Sequence, residues 1–365
     1  VTSQPAAVPP GGPGTLPRGT VLLLTIAAAT VVLAGLKAAS SLLGPAFLAL
    51  VLTIAAAPLR RWLAGRVPSW LASIICLVVV YLTIVLFAAC IIVSTARFAA
   101  LLPDYKEEFN DLISSMLDGL GKLGLDDDGL AKVESSLDMS RLVGVLGAVL
   151  QGALGLVSNL FFIVTLILFM VFDGSQYPRL LLLVRESRPG LVDALIDFAV
   201  ATRRYLVVAT VFGLIVAVFD TVALALMGIP AAFVWGVLAF LTNYVPNIGF
   251  VIGVIPPAIL ALLEGGPGLM IGVIIVYSVI NVVIQSVIQP KVVGDQVGLS
   301  TTLTFLSLVF WTWIIGPLGA ILAIPLSLLV RAVLIDADPR NDWIGALVAN
   351  SDQRTVRTEP PQPSG

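Results

Sequence analysis

Three groups of polar residues sit inside long apolar stretches, where polar atoms are expensive to keep. Asp220 is the only charged residue between Arg204 and Glu264. A carboxylate within a membrane span is a functional hypothesis by default, because it must find a proton, a cation or a partner. It either couples transport to an ion or is an acid near the outer interface, wetted by water or hydrogen-bonded to Thr221. Asn281, Gln285 and Gln289 recur every four residues, which puts them on one helical face just after Ser278. Amides cannot face lipid, so that face meets other helices or lines a cavity for a hydrophilic molecule. Thr242, Asn243, Tyr244 and Asn247 gather around Pro246 and Gly249. Proline removes a helical hydrogen bond there, and the amides can serve either the freed backbone or a solute's polar groups. Interrupted helices near the membrane midplane are the best sequence pointer to a transport site.

Catalysis is a poor fit. The 365 residues contain no histidine and two cysteines, Cys76 and Cys90. His-based triads, His metal sites and imidazole proton shuttles are therefore excluded. On one helix the two thiols would stand about 21 Å apart, beyond disulfide reach. No Gly-Lys-Ser/Thr element exists for a nucleotide phosphate, so no ATP-binding site is encoded in this chain. No two carboxylates lie together in a span. No catalytic residue, metal site or cofactor is expected. A net charge of −2 also gives no basic excess for nucleic acid.

The elements that carry these residues follow from where charge is missing. Hydrophobic residues make up 58% of the chain and charged ones 12%, about half the usual share. Charge-free runs reach or exceed the roughly 20 residues that a spanning helix needs. Nothing alternates as barrel strands do. The expectation is an all-α polytopic integral membrane protein of about eight transmembrane helices, near 20–36, 38–58, 68–96, 142–172, 205–227, 231–263, 268–290 and 299–330. Pro246, Pro256 and Pro257 in the sixth, and Pro317 and Pro325 in the eighth, make each either a bent span or a re-entrant hairpin. With both termini cytoplasmic, 13 of the 20 Lys and Arg fall on the inner side, among them Arg60, Arg61, Arg66, Arg185, Arg188 and Arg331.

The remaining segments divide readily. Residues 1–19 and the end of 336–365 read as disordered cytoplasmic tails, rich in Pro and Gly or in polar residues. Residues 20–96 hold three spans, and 142–172 a fourth. Residues 97–141 form an extracytoplasmic insert in which Phe109, Leu112, Ile113, Met116, Leu117 and Leu120 mark an amphipathic helix. It either rests on the membrane or a neighbouring subunit, or acts as a lid. Asp126-Asp127-Asp128-Gly129 lacks the alternating ligands of a calcium loop. Residues 173–204 read as a cytoplasmic amphipathic helix starting at Pro189, and 205–335 as the transport core.

Three segments of that core resemble the autoinducer-2 exporter family of bacterial membrane proteins. They are Asn243-Tyr244-Val245-Pro246-Asn247-Ile248-Gly249 with Pro256, Gln289-Pro290-Lys291-Val292-Val293-Gly294, and Gly316-Pro317-Leu318-Gly319-Ala320-Ile321-Leu322-Ala323-Ile324-Pro325. Order and spacing agree over roughly residues 20–335. Many relatives carry a Leu-His-Pro-like element where this chain has Gly298-Leu299-Ser300-Thr301. The resemblance implies about eight spans, a homo-oligomer (a pentamer), and export of small molecules from the bacterial inner membrane. For some relatives it implies autoinducer-2, for others sodium/proton antiport. The expected site is thus Asn243, Tyr244, Asn247, Asn281, Gln285 and Gln289 for solute, and Asp220 for an ion. Pro246, Gly249, Pro290, Gly294, Gly316, Gly319 and Pro325 would act as hinges. The expected partners are a small polar solute and the lipid bilayer. A non-transporting envelope scaffold built around the insert is the rival from another class. A transporter should show a polar cavity at the amides, a scaffold amides that satisfy one another.

Overall fold

A computed structural model describes residues 17–122, 126, 139–173, 177–245, 248–289, 291 and 300–337. Among them there is helix and no strand, as the charge-free runs require. The chain is an all-α polytopic membrane protein. Six of its described helices are long and apolar enough to cross a bilayer, and three shorter apolar ones accompany them.

In the first half, α1 (Arg18–Ala38) is exposed and apolar along most of its length and packs only lightly on its neighbours. With no water-facing side, it needs lipid or another chain around it. Helices α2 (Ser40–Ala64) and α3 (Ser69–Leu101) follow. A short 3₁₀ turn (Leu102–Tyr105) then leads into α4 (Lys106–Lys122), the helix of the insert. Phe109, Ile113 and Leu117 are half-buried along it, and the Tyr105 hydroxyl hydrogen-bonds the Glu264 carboxylate. The expected fourth span comes as two helices, α5 (Met139–Ser158) and α6 (Leu160–Asp173), broken at Asn159. Ile163, Ile167 and Val171 of α6 pack with Ala49, Val80 and Ile84.

Helix α7 (Tyr177–Ser187) is joined by the Arg185–Asp193 ion pair, 2.8 Å, to α8 (Pro189–Leu226). Pro189 starts α8 as expected. The amphipathic stretch and the fifth span are nonetheless one unbroken helix of 38 residues. Arg203 and Arg204 do not end a helix, since charge leaves the backbone ladder intact and only a missing donor or an unusual φ breaks it. Ala194 and Phe198 pack with Leu328 and Ala332, so the amphipathic end is docked on the bundle.

The second half folds as reversals. Helix α9 (Ala232–Thr242) ends in a turn at 243–245, and α10 (Gly249–Asn281) runs back against it, Gly249 lying at the Thr242 carbonyl and Gly253 near Ala239. Helix α10 itself reverses at Gly266, φ 74°, followed by Pro267. Its two arms face each other, because Phe250 and Gly253 line the same cavity as Tyr277 and Asn281. A π-helical stretch, Val282–Ile288, continues the second arm. Helices α11 (Thr301–Ile315) and α12 (Pro317–Arg331) form another hairpin about Gly316, φ 80°. Leu303, Leu306 and Phe310 meet Val330, Arg331 and Ile335 across one groove, so these arms are antiparallel. The segments 231–263 and 299–330 are therefore hairpins, not bent spans. Of the expected hinges, Pro246, Pro290 and Gly294 lie outside the described residues. Pro325 sits buried in an unbroken part of α12.

Two glycines allow the tight closures. A Cβ on Gly249 would collide with the Thr242 carbonyl, and one on Gly319 with the Trp311 carbonyl. Gly319→Val should thus wedge α11 from α12 and cost about 1–3 kcal/mol, the range for overpacking. It should lower the unfolding temperature in detergent. Gly35→Ala, with open space around its position, should leave that temperature unchanged.

Candidate functional site

Asp220 lies on α8 and is fully buried, with neither carboxylate oxygen hydrogen-bonded among the described residues. It opens into a small cavity lined also by Thr242, Asn243, Tyr277, Asn281 and Gln285. Four elements converge there: α8, the end of α9, and both arms of α10. Thr221 does not receive the acid, because its hydroxyl donates to the Ala217 carbonyl at 2.7 Å. Nor is the carboxylate wetted at a surface. No Lys or Arg lines the cavity among the described residues. An ionised Asp220 would therefore need a bound cation, and an uncharged one a proton.

The wall of this cavity is an amide chain. The Asn243 side-chain N–H donates to the Ala209 carbonyl of α8 at 2.8 Å. Gln285 Nε2 donates to Asn243 Oδ1 at 2.9 Å and to Asn281 Oδ1 at 2.7 Å. Asn281 in turn donates to the Tyr277 carbonyl at 3.0 Å. Both Gln285 protons are thereby used, tying the turn at 243 to the second arm of α10. Gln285 sits in the π-helical stretch, where wider winding displaces the four-residue stripe from a regular α-helical course. Gln289, a further step along, is half-buried and does not line the cavity.

Tyr244 faces elsewhere. Its carbonyl accepts from the Tyr205 hydroxyl at 2.9 Å, and its own hydroxyl lies 2.7 Å from Thr210 Oγ1. Thr210 already donates its one proton to the Leu206 carbonyl, so Tyr244 is the donor in that pair. Phe87 and Phe240 pack against its ring with centroids 5.9 and 5.8 Å away. These contacts make Tyr244 an anchor of the turn on α8. Asn247 lies outside the described residues.

Tyr277 is the residue that sequence reasoning missed. It is 1% exposed, and its hydroxyl has no hydrogen-bond partner among the described residues. The signal was present, since Tyr277, Asn281 and Gln285 continue one four-residue stripe, but an aromatic in an apolar run reads as packing. The cavity they enclose measures about 10 Å³, near the lower limit for holding one water. In this conformation the site suits a water, a hydronium or a bare small cation. A polyol-sized solute does not fit the cavity in this conformation.

Comparison with known proteins points to one family. The profile described as "AI-2E family transporter" covers residues 23–337. A putative transport protein of Haemophilus influenzae is 32% identical over 86% of this chain and 91% of its own length. The putative transport protein YhhT of Escherichia coli is 31% identical over 85% and 88%. The AI-2 transport protein TqsA of the same organism is 29% identical over 87% and 92%. With a family profile spanning most of its length and relatives of this similarity, the chain belongs to the AI-2E transporter family.

Proposed function

We propose that this transporter exports a small polar solute across the bacterial inner membrane, coupled to a proton or monovalent cation at Asp220. The carrying observation is the unpartnered Asp220 carboxylate, sealed beside an amide wall between broken helices. Removing a charge from water is costly, and such a site persists where the charge is exchanged for function. In this reading the enclosed cavity is the occluded form. Opening breaks the Asn243 contacts with Ala209 and Gln285, freeing amide donors and acceptors for a polyol-like or carbonyl solute. AI-2 is the first solute to test, since the relative TqsA carries that name. The working form in this proposal is a homo-oligomer, a pentamer by family resemblance, with both termini cytoplasmic.

Reconstituted protein should move AI-2, or another solute of a polar panel, faster under a pH or sodium gradient than without one. Asp220→Asn keeps volume and hydrogen-bonding reach but cannot change charge, so its flux should lose that gradient dependence with the oligomer intact. An unaltered gradient response would remove Asp220 from the mechanism.

One observation favours a second reading, in which the amides only join helices: they satisfy one another. Gln285→Leu separates the two. Glue predicts a lower unfolding temperature and normal flux per folded protein, whereas the transport reading predicts at least a tenfold loss of flux in the protein that remains folded.

Orientation has its own check in a background without Cys76 and Cys90. A cysteine at Asp127 should react with an impermeant maleimide from the periplasmic side, and one at Arg188 should not. The reverse pattern would turn the topology over.

A further inference from the structure

At the arginine-rich end of the bundle, a crevice of about 670 Å³ opens between α2, α3, α6, α7 and α8. Its depth is apolar, with Leu50, Ile54, Met170 and Val171, and its mouth holds Arg60 and Arg61. No acidic residue lines it, and neither guanidinium has an ion pair or hydrogen bond among the described residues. Arg66, one turn further on, is already occupied: it donates to the Trp62 carbonyl at 3.0 Å and lies 4.0 Å from the centre of the Trp62 ring. Two free cations over an apolar slot are an amphiphilic pattern. A soluble anion would leave the slot empty, and a zwitterionic lipid would bring its own ammonium beside the two cations.

We infer that this crevice binds an anionic phospholipid, its phosphate between Arg60 and Arg61 and an acyl chain along Leu50 and Ile54. Guanidinium groups suit the task, since their planar fork donates two parallel hydrogen bonds to phosphate oxygens. Basic pockets between membrane helices are also where anionic headgroups lodge. Ala199 of α8 lines the same crevice, so the lipid would bridge α2 to the helix that carries Asp220.

The test titrates phosphatidylglycerol and phosphatidylcholine into the purified full chain in detergent, reading bound lipid by intact-protein mass spectrometry. Phosphatidylglycerol should bind at least tenfold more tightly than phosphatidylcholine. Arg60→Gln/Arg61→Gln should erase that preference, while Arg66→Gln leaves it within twofold. Ala57→Phe fills the slot without altering charge and should also weaken phosphatidylglycerol. Equal phosphatidylglycerol affinity in the wild type and the double variant would overturn the assignment, as would an equal loss in Arg66→Gln. Displacement of the lipid by soluble glycerol 1-phosphate would mark a free-phosphate site instead and reject the lipid. A fall in oligomer mass with Ala57→Phe at unchanged lipid retention would assign the slot to a second copy and likewise reject it. These readouts do not depend on flux, so they stand or fall separately from the transport reading.

Discussion

Inside a bilayer, a backbone amide released from its helix has no water to receive it, and each one left unmatched costs several kcal/mol. The second half of this chain interrupts its helices after Thr242, at Gly266 and at Gly316, and the surroundings of each break must contain it. At the first, Asn243 and Tyr244 are tied to α8 through Ala209, Tyr205 and Thr210. At Gly316, Trp311 donates its indole N–H to Ser327 across the hairpin at 3.0 Å. Of these residues, Asn243 also walls the cavity holding Asp220.

Much of this was legible in the sequence, for physical reasons. Charge is too costly in hydrocarbon to be placed at random, so the charge-free runs reveal the membrane class. Gly265-Gly266-Pro267 falls in the gap between the sixth and seventh expected spans, whereas the residues of 299–330 leave a bent span and a hairpin both open, and Gly316, at φ 80°, makes it a reversal. The four-residue spacing of Asn281 and Gln285 predicts their shared face, and Gln285 does donate to Asn281.

Other features were hidden. The fusion of 189–204 with the fifth span escaped notice because Arg203-Arg204 marks a membrane edge without marking a helix end. The break at Asn159 has neither Gly nor Pro beside it; its amide donates to the Gly155 carbonyl at 2.9 Å. Whether Asp220 and the amides face one another depends on how α8 and α10 rotate about their axes. That rotation is set by packing such as Gly236 against Thr221 and Ala217, and no local pattern encodes it. Tyr277 was lost for a similar reason: a hydroxyl matters only once its surroundings are known.

The unbroken course of α8 has a mechanical meaning. At 1.5 Å per residue its 38 residues extend roughly 57 Å, nearly twice the hydrocarbon thickness. One end lies among arginines and aspartates, at the Arg185–Asp193 pair, and Asp220 sits near the other. A continuous helix without a proline inside or a π-bulge bends only gently, so its two ends are held in a fixed relation. Its middle is gripped by the 243–244 turn, fastened at Tyr205, Ala209 and Thr210. The docked 189–204 stretch and the buried Asp220 are thus opposite ends of one stiff element.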